Sequence, residues 1–425
     1  MSFQQALSGL NASSKDLDVI GNNIANANTY GAKSSRAEFA DMYANALSGG
    51  GTSSIGIGTT LAAVAQQFTQ GNITSTGNAM DLAINGAGFF QVSNGSGPPL
   101  YTRNGQFHVD SKGYIVNDQA QQLMGYPADS TGKILPGTAQ AIQLPTAGIA
   151  PNPTSKVSVE MNLDSRSAVT APAAGVVPQI DFTNPSTYNN ATSLTVYDAK
   201  GQNIALSYYF QKAGVDQWNV YATANGLPVN GTAAAPLPLT TTPISFLADG
   251  SAPSSSVSAL PITLSGTLTS ATGATIVTPM TFDLSLAGAT QYGSSFGVTN
   301  MTQDGYAPGQ LSSIAISGDG TVMASYSNGQ SKPAAQLELA NFRNPQGLQA
   351  MGGNAWSSTH ASGDPVVGVP GAGNMGVLQA GALEESNVDL TGELVKMITA
   401  QRTYQANAQT IKTQDQVMQT LVNLR

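Results

Sequence analysis

The chain contains no cysteine, and charged residues make up only 9% of its 425 positions. The first absence removes disulfides, thiolate nucleophiles and Cys-based zinc sites together. The second leaves Ser, Thr, Asn, Gln and Gly to supply most of the polar surface. Lys and Arg number 16 against 24 Asp and Glu, a net charge of −8. With no basic cluster, there is no footprint for nucleic acid. No run of 18 apolar residues occurs, so no membrane insertion is expected. The opening "MSFQQALSGLNASSKDL" lacks a basic stretch followed by an apolar one and does not read as a secretory signal peptide. The two histidines, His108 and His360, sit in no ligand-spaced motif, and neither a metal nor a cofactor is expected. Gly371 to Gly376 formally matches a dinucleotide fingerprint, but Pro370 precedes it and a loop follows, so it reads as linker. No local set of catalytic residues appears, and the chain is not expected to be an enzyme.

What is present is a pair of amphipathic ends. Ser2 and Gln5 read as a capping box. Apolar residues then recur at Phe3, Leu7, Leu10, Leu17 and Ile24, with Ser14 and Gly21 at the remaining positions of a heptad-like stripe. At the other end, Asp389 is a candidate N-cap, with Glu393 in the first turn where the helix dipole favours an anion. Leu390, Leu394, Met397, Gln401, Tyr404, Ala408, Ile411, Asp415, Met418 and Val422 follow in steps of three and four. Asp415 is the weak point of that stripe: either the stripe shifts to Gln414 there, or Asp415 finds a partner or water. The helices would measure about 35 and 50 Å. An intramolecular hairpin docked on the β-regions is the plain reading. Sustained stripes at both termini, set off by Gly-rich segments, favour a polymerisation seam that joins neighbouring copies.

Between the ends the sequence is β-like. "ALSGGGTSSIGIGTT" (46–60) reads as a loop or extended linker. Short strand-like runs from Ala79 to Pro145 carry hairpin signals at Asn104-Gly105 and Lys112-Gly113. A Pro-punctuated boundary at 145–155 leads into a second region, to about 299, with a meander-like stretch at 193–226. Between Lys212 and Lys332 there is no Lys or Arg. A third region, 300–365, has hairpin signals at Asp319-Gly320 and Asn328-Gly329. "SGDPVVGVPGAGNMGVLQAGALEESN" reads as a Gly-rich linker. The expected fold is mixed: α at the termini, all-β in the middle, nested, with coiled-coil-like pairing of the end helices.

"GLNASSKDLDVIGNNIANANTYGAKSSRAEF", "GALEESNVDLTGELVKMITAQRTYQANAQTIKTQDQVMQTLVNLR", "GNAMDLAINGAGFFQV", "YTRNGQF" and "QDGYAPGQL" resemble the rod and hook family of bacterial flagellar axial proteins, the hook members most closely. The likeness is strong at both ends and weak over 146–299. It implies a terminal polymerisation domain (1–75 and 366–425), an inner β-domain built from two segments (76–145 and 300–365) and an inserted outer β-domain (146–299). It also implies a curved hollow polymer acting as a flexible joint that transmits torque. Export would use the flagellar type III apparatus, without a cleaved signal, to the hook outside the cell. The implied partners are other copies, the distal rod protein, the hook cap and the hook–filament junction protein. The family usually has an aromatic after the glycine of the Asn-rich motif, where this chain has Ala32.

That motif, "GNNIANANTYG", places Asn22, Asn23, Asn26 and Asn28 ahead of Gly31. Such side chains both donate and accept, so they can end a helix and fix the register of a neighbouring chain. A solvated turn is the simpler account. The rival functions are a distal rod subunit, which should lack the long middle region, and a secreted β-rich adhesin, for which the end helices should be dispensable. A hydrolase has no local motif behind it.

Overall fold

The computed structural model describes residues 3–43, 56–95, 97–145, 147–173, 175–253, 260–264 and 280–423. Ser2 of the expected capping box and residues 46–55 of the Gly/Ser-rich run lie outside them. The described chain is mostly β, with one long helix near each end: α1, Phe3–Ala25, and α2, Leu390–Asn423. It divides into two compact units. One comprises residues 1–146, 312–325 and 331–425; the other comprises 147–311 and 326–330.

In the first unit α1 and α2 pair antiparallel, Gly9 lying against Asn407 and Asn23 against Glu393. A Cβ on Gly9 would come within 2.9 Å of the Asn407 side-chain amide, which would have to move aside. The Asp389 carboxylate caps α2 by accepting from the Thr391 amide at 3.1 Å. Residues 56–60, the described part of the segment expected to be linker, lie instead in a strand of an antiparallel hairpin, β1 (Ser35–Tyr43) and β2 (Gly56–Gln66), lying along α1. Gln5 Nε2 donates to the Gly56 carbonyl at 2.7 Å, and the Thr59 amide donates to Ser8 Oγ at 3.3 Å. The glycines of this run leave the hairpin room to approach the helix: a Cβ on Gly58 would overlap Ser8 Oγ.

The Gly-rich run before α2 also departs from the linker reading. Val377–Ala380 pairs with Leu82–Asn85, and Ala382–Glu384 pairs with Ile73–Ser75. Beyond them a sheet runs through Ser331–Leu337, Gln122–Pro127, Phe89–Ser93, Leu100–Thr102, Ala355–Ser357 and Gln349–Gly352 in order. Strand alternation sends Phe89 and Phe90 to opposite faces. Phe90 joins the core of Leu82, Ile84, Phe107 and Leu123, while Phe89 packs edge-on against Phe68, Phe342 and Trp356.

The glycines of three hairpin signals adopt left-handed conformations in turns: Gly113, Gly320 and Gly329, with φ of 87°, 80° and 80°. Asn104-Gly105 is not a hairpin. The strands on either side of it do not pair with each other, and Gly105 is needed because a Cβ there would strike the Leu82 carbonyl.

The second unit contains the meander, Asn190–Tyr197, Asn203–Gly214 and Gln217–Ala224, all antiparallel neighbours. Lys156–Asn162 pairs with Met280–Ser285 in parallel and with Gly297–Gln303 antiparallel. This last pairing carries the second unit past the boundary expected at 299/300. Val159, Leu206, Phe210 and Trp218 sit in its core.

Candidate functional site: the helix faces and the neck

On α1 the buried positions are Ala6, Ser13, Ile20 and Asn23, one residue before the stripe read from the sequence. One residue is about 100° around a helix. The buried positions are thus mostly small or polar, with Ile20 the large apolar one among them, and the large apolar residues of the stripe lie beside or away from that face. Phe3 (52% exposed) and Leu7 (42%) face outward, while Leu10, Leu17 and Ile24 are half-buried. On α2, Glu393 and Ala400 are buried. Met397, Ala408 and Ile411 are half-buried, and Leu390, Leu394, Tyr404, Met418 and Val422 are exposed. Gln414 is half-buried, while Asp415 is exposed and accepts from Gln419 Nε2 at 3.1 Å. Phe39, Met42 and Val64 of the hairpin are exposed as well. A groove of about 390 Å³ runs between Phe39, Val395 and Ala400, with Asp16 on its wall. Burial, then Glu393, raises the Asp16 carboxyl above its ordinary value, partly offset by Lys396.

The Asn-rich motif ends α1 and occupies its groups within the chain. The Asn26 amide nitrogen of the main chain donates to the Asn22 carbonyl at 3.1 Å, and its side chain donates to the same carbonyl at 2.9 Å. Asn23 is buried and exchanges two hydrogen bonds with the backbone of Ser35. It also donates to Glu393 Oε2 at 3.3 Å. Asn28 is exposed. Gly31 is buried, with φ of +71°, and a Cβ there would lie 2.4 Å from the Asn104 amide nitrogen. Its own amide donates to the Glu384 carbonyl at 2.8 Å. Ala32 is buried and lines a cavity of about 310 Å³ together with Asn22, Asn26, Gln66 and Trp356.

Below the motif lies a neck that the sequence did not reveal. Lys33 Nζ donates to Glu384 Oε1 at 2.6 Å and to the Thr69 carbonyl at 2.8 Å. Arg103 Nη1 donates to Glu384 Oε2 at 2.9 Å. Burial holds Lys33 and Arg103 below their ordinary values, and Glu384 opposes that in both. The Asn387 side chain accepts from the Ser34 amide at 2.7 Å and donates to the Gln67 carbonyl at 2.7 Å. These partners lie up to 353 positions apart, and no local motif announces them.

Among the described residues no group of His, Asp and Glu could hold a metal ion, and no helix is long and apolar enough to cross a membrane. What the arrangement offers is an unpartnered apolar surface on helices anchored to a β-body.

The flagellar hook protein FlgE of Escherichia coli (strain K12) is 43% identical to this chain over 433 residues, covering 100% of both. The chain belongs to the flagellar hook protein family. The hook protein of Brucella suis biovar 1 is 32% identical over 427 residues, covering 100% of this chain and 98% of its own. Family models match along the sequence: "Flagella basal body rod protein" over 3–33 and "Flagellar hook protein FlgE/F/G D1 domain" over 83–199. "Flagellar basal body protein FlaE D2 domain" matches 162–306, and "Flagellar basal body rod FlgEFG protein C-terminal" matches 379–424. The crystal structure of Helicobacter pylori flagellar hook protein FlgE2 shares the fold, with a TM-score of 0.52 at 13% identity, over 73% of this chain and 100% of that one.

The chain is thus a structural subunit of the flagellar hook, in a family not known for enzymatic activity. The rod reading gives way because hook relatives span the middle region end to end. The adhesin reading gives way because both end helices fall within flagellar family models.

Proposed function

We propose that this hook subunit assembles by burying the outward apolar face of α1, α2 and the β1–β2 hairpin against other copies. The observation behind this is the exposed set Phe3, Leu7, Leu390, Leu394, Tyr404, Met418 and Val422 on helices already paired with each other. Fully burying one such Leu contributes about 1.5–3 kcal/mol, so a few per interface outweigh the entropy of ordering the side chains. Leu10, Leu17, Ile24, Met397, Ala408 and Ile411 support the same surface from its half-buried margin. Asn22, Asn26 and Asn28 lie on the accessible side of the helix end, where they set register against a neighbour, while Asn23 is committed to its own chain.

The polymer is a curved tube that passes torque from the rod to the filament. Residues 1–75 and 366–425 form its inner layer. Residues 76–145 and 312–365 form most of the inner β-domain. Residues 147–311 form an outer domain, whose charge-poor polar surface lets neighbouring copies slide as the tube bends. The subunit reaches the cell exterior through the flagellar type III apparatus. There it meets the distal rod protein, the hook cap and the hook–filament junction protein.

Removing residues 1–30 or 386–425 tests this reading. Either truncation should leave folded β-units that form no tubes by electron microscopy, and tubes from either would overturn the reading. Replacing 147–311 by a short linker should still give tubes, straight or of altered curvature. Normally curved tubes from that variant would remove the middle region from the bending mechanism.

A further inference from the structure

One stretch of chain, residues 26–34, joins α1 to β1, and two more, 67–72 and 385–389, connect the helix pair and the hairpin to the β-strands beyond them. One carboxylate touches all three. Glu384 Oε1 accepts from Lys33 Nζ in the first at 2.6 Å and from the Gly71 amide in the second at 2.9 Å. Glu384 itself opens the third. Its other oxygen accepts from Arg103, whose Nη2 donates to the Gly86 carbonyl at 2.8 Å on the sheet side. The side chains of Glu384 and Lys33 are wholly buried, and that of Arg103 is 5% exposed. Two buried cations thus share one buried anion. Arg103 Nε finds no hydrogen-bond partner among the described residues, so the cation leans more heavily on Glu384. Buried charges are tolerated only when paired, and taking away the shared partner strands both others.

We propose that Glu384 is a lock that couples the helical end of the subunit to its sheet, so that neither opens without the other. With Glu384 ionised, each connecting stretch is fixed to the sheet through Arg103. With it neutralised, Lys33 and Arg103 face each other unpaired, and the neck opens while the sheet, which has its own apolar core, stays folded. The lock rests on the hook-subunit reading only for its use. A force arriving through helices held by neighbouring copies reaches the sheet through residues 67–72 and 385–389, and a closed neck makes the helical end and the sheet of the first unit move together.

The lock is read out on the free full-length chain, so its failure leaves the assembly reading standing. Hydrogen exchange would be followed peptide by peptide in the wild type, Glu384→Gln and the double variant Lys33→Met/Glu384→Gln. In Glu384→Gln, exchange should rise about a hundredfold in 26–34, 67–75, 382–389 and both helices. Phe89–Ser93 and Gln122–Pro127 should keep wild-type protection. The double variant removes one stranded cation and should recover most of the lost protection, and recovery of a folded chain by the double where the single does not fold supports the lock equally. Unchanged exchange in Glu384→Gln, loss spread evenly over the sheet, no recovery in the double variant, or failure of both variants to fold would each overturn it.

Discussion

Asn23 and Ser35 hold each other by two hydrogen bonds: Asn23 Nδ2 donates to the Ser35 carbonyl, and the Ser35 amide donates to Asn23 Oδ1, both at 2.8 Å. A side-chain amide here completes the backbone of the first residue of β1, fixing where the hairpin leaves the helix. Asn23→Ala strips both bonds and leaves two backbone groups unsatisfied. We expect a loss of about 2–4 kcal/mol in urea unfolding followed by helix ellipticity. Asn23→Asp should be worse than a single lost donor predicts, since its charge would face Glu393, 3.3 Å from the present amide.

Gly31→Ala should cost more than about 2 kcal/mol. The positive φ and the 2.4 Å approach to the Asn104 nitrogen both oppose a Cβ, and the obstructing atom is backbone. Gly21→Ala is the control, because nothing lies within 4 Å of a Cβ there. Thermal unfolding of the two variants should differ by several degrees in that order, with Gly21→Ala at or above wild type.

Leu394→Asp and Ile411→Asp should part company. Leu394 is 44% exposed in the single chain, so its aspartate leaves the monomer's unfolding midpoint within about 0.5 kcal/mol of wild type and still abolishes tube formation. Ile411 is half-buried, so its aspartate should weaken the monomer as well. Sedimentation of polymer together with denaturant titration of monomer separates the two effects. Polymer from Leu394→Asp would exclude that position from the assembly surface.

Glu338 is buried in the sheet, with one carboxyl oxygen unpartnered among the described residues. Burial raises it above its ordinary value, and the hydrogen bond with Tyr126 only partly opposes this. A carboxyl raised by folding adds stability below its unfolded value, and that contribution is lost as pH rises through the folded one. Glu338→Gln should therefore raise Tm by roughly 2–4 °C at neutral pH. The advantage should shrink as pH falls into the carboxylate range. A pH series of melting curves for both proteins checks the sign.

The sequence by itself determined the helices, because three-and-four periodicity and a capping aspartate are local properties. It determined three hairpin turns, at Gly113, Gly320 and Gly329, for the same reason, and the family, because its terminal motifs are long. It also placed the end of α1 within the asparagine run. The tertiary structure decided which side of α1 faces α2. Periodicity reports where apolar residues cluster, and here the buried positions, Ala6, Ser13, Ile20 and Asn23, are mostly small or polar and are not that stripe. It put residues 56–60 and much of the Gly-rich run before α2 into strands rather than linkers, since glycine marks close approach as readily as it marks a loop, and only the neighbour tells which. It alone assembled Lys33, Arg103 and Glu384. Their attraction depends on distance through a buried interior, and the chain spaces these three charges across 351 positions.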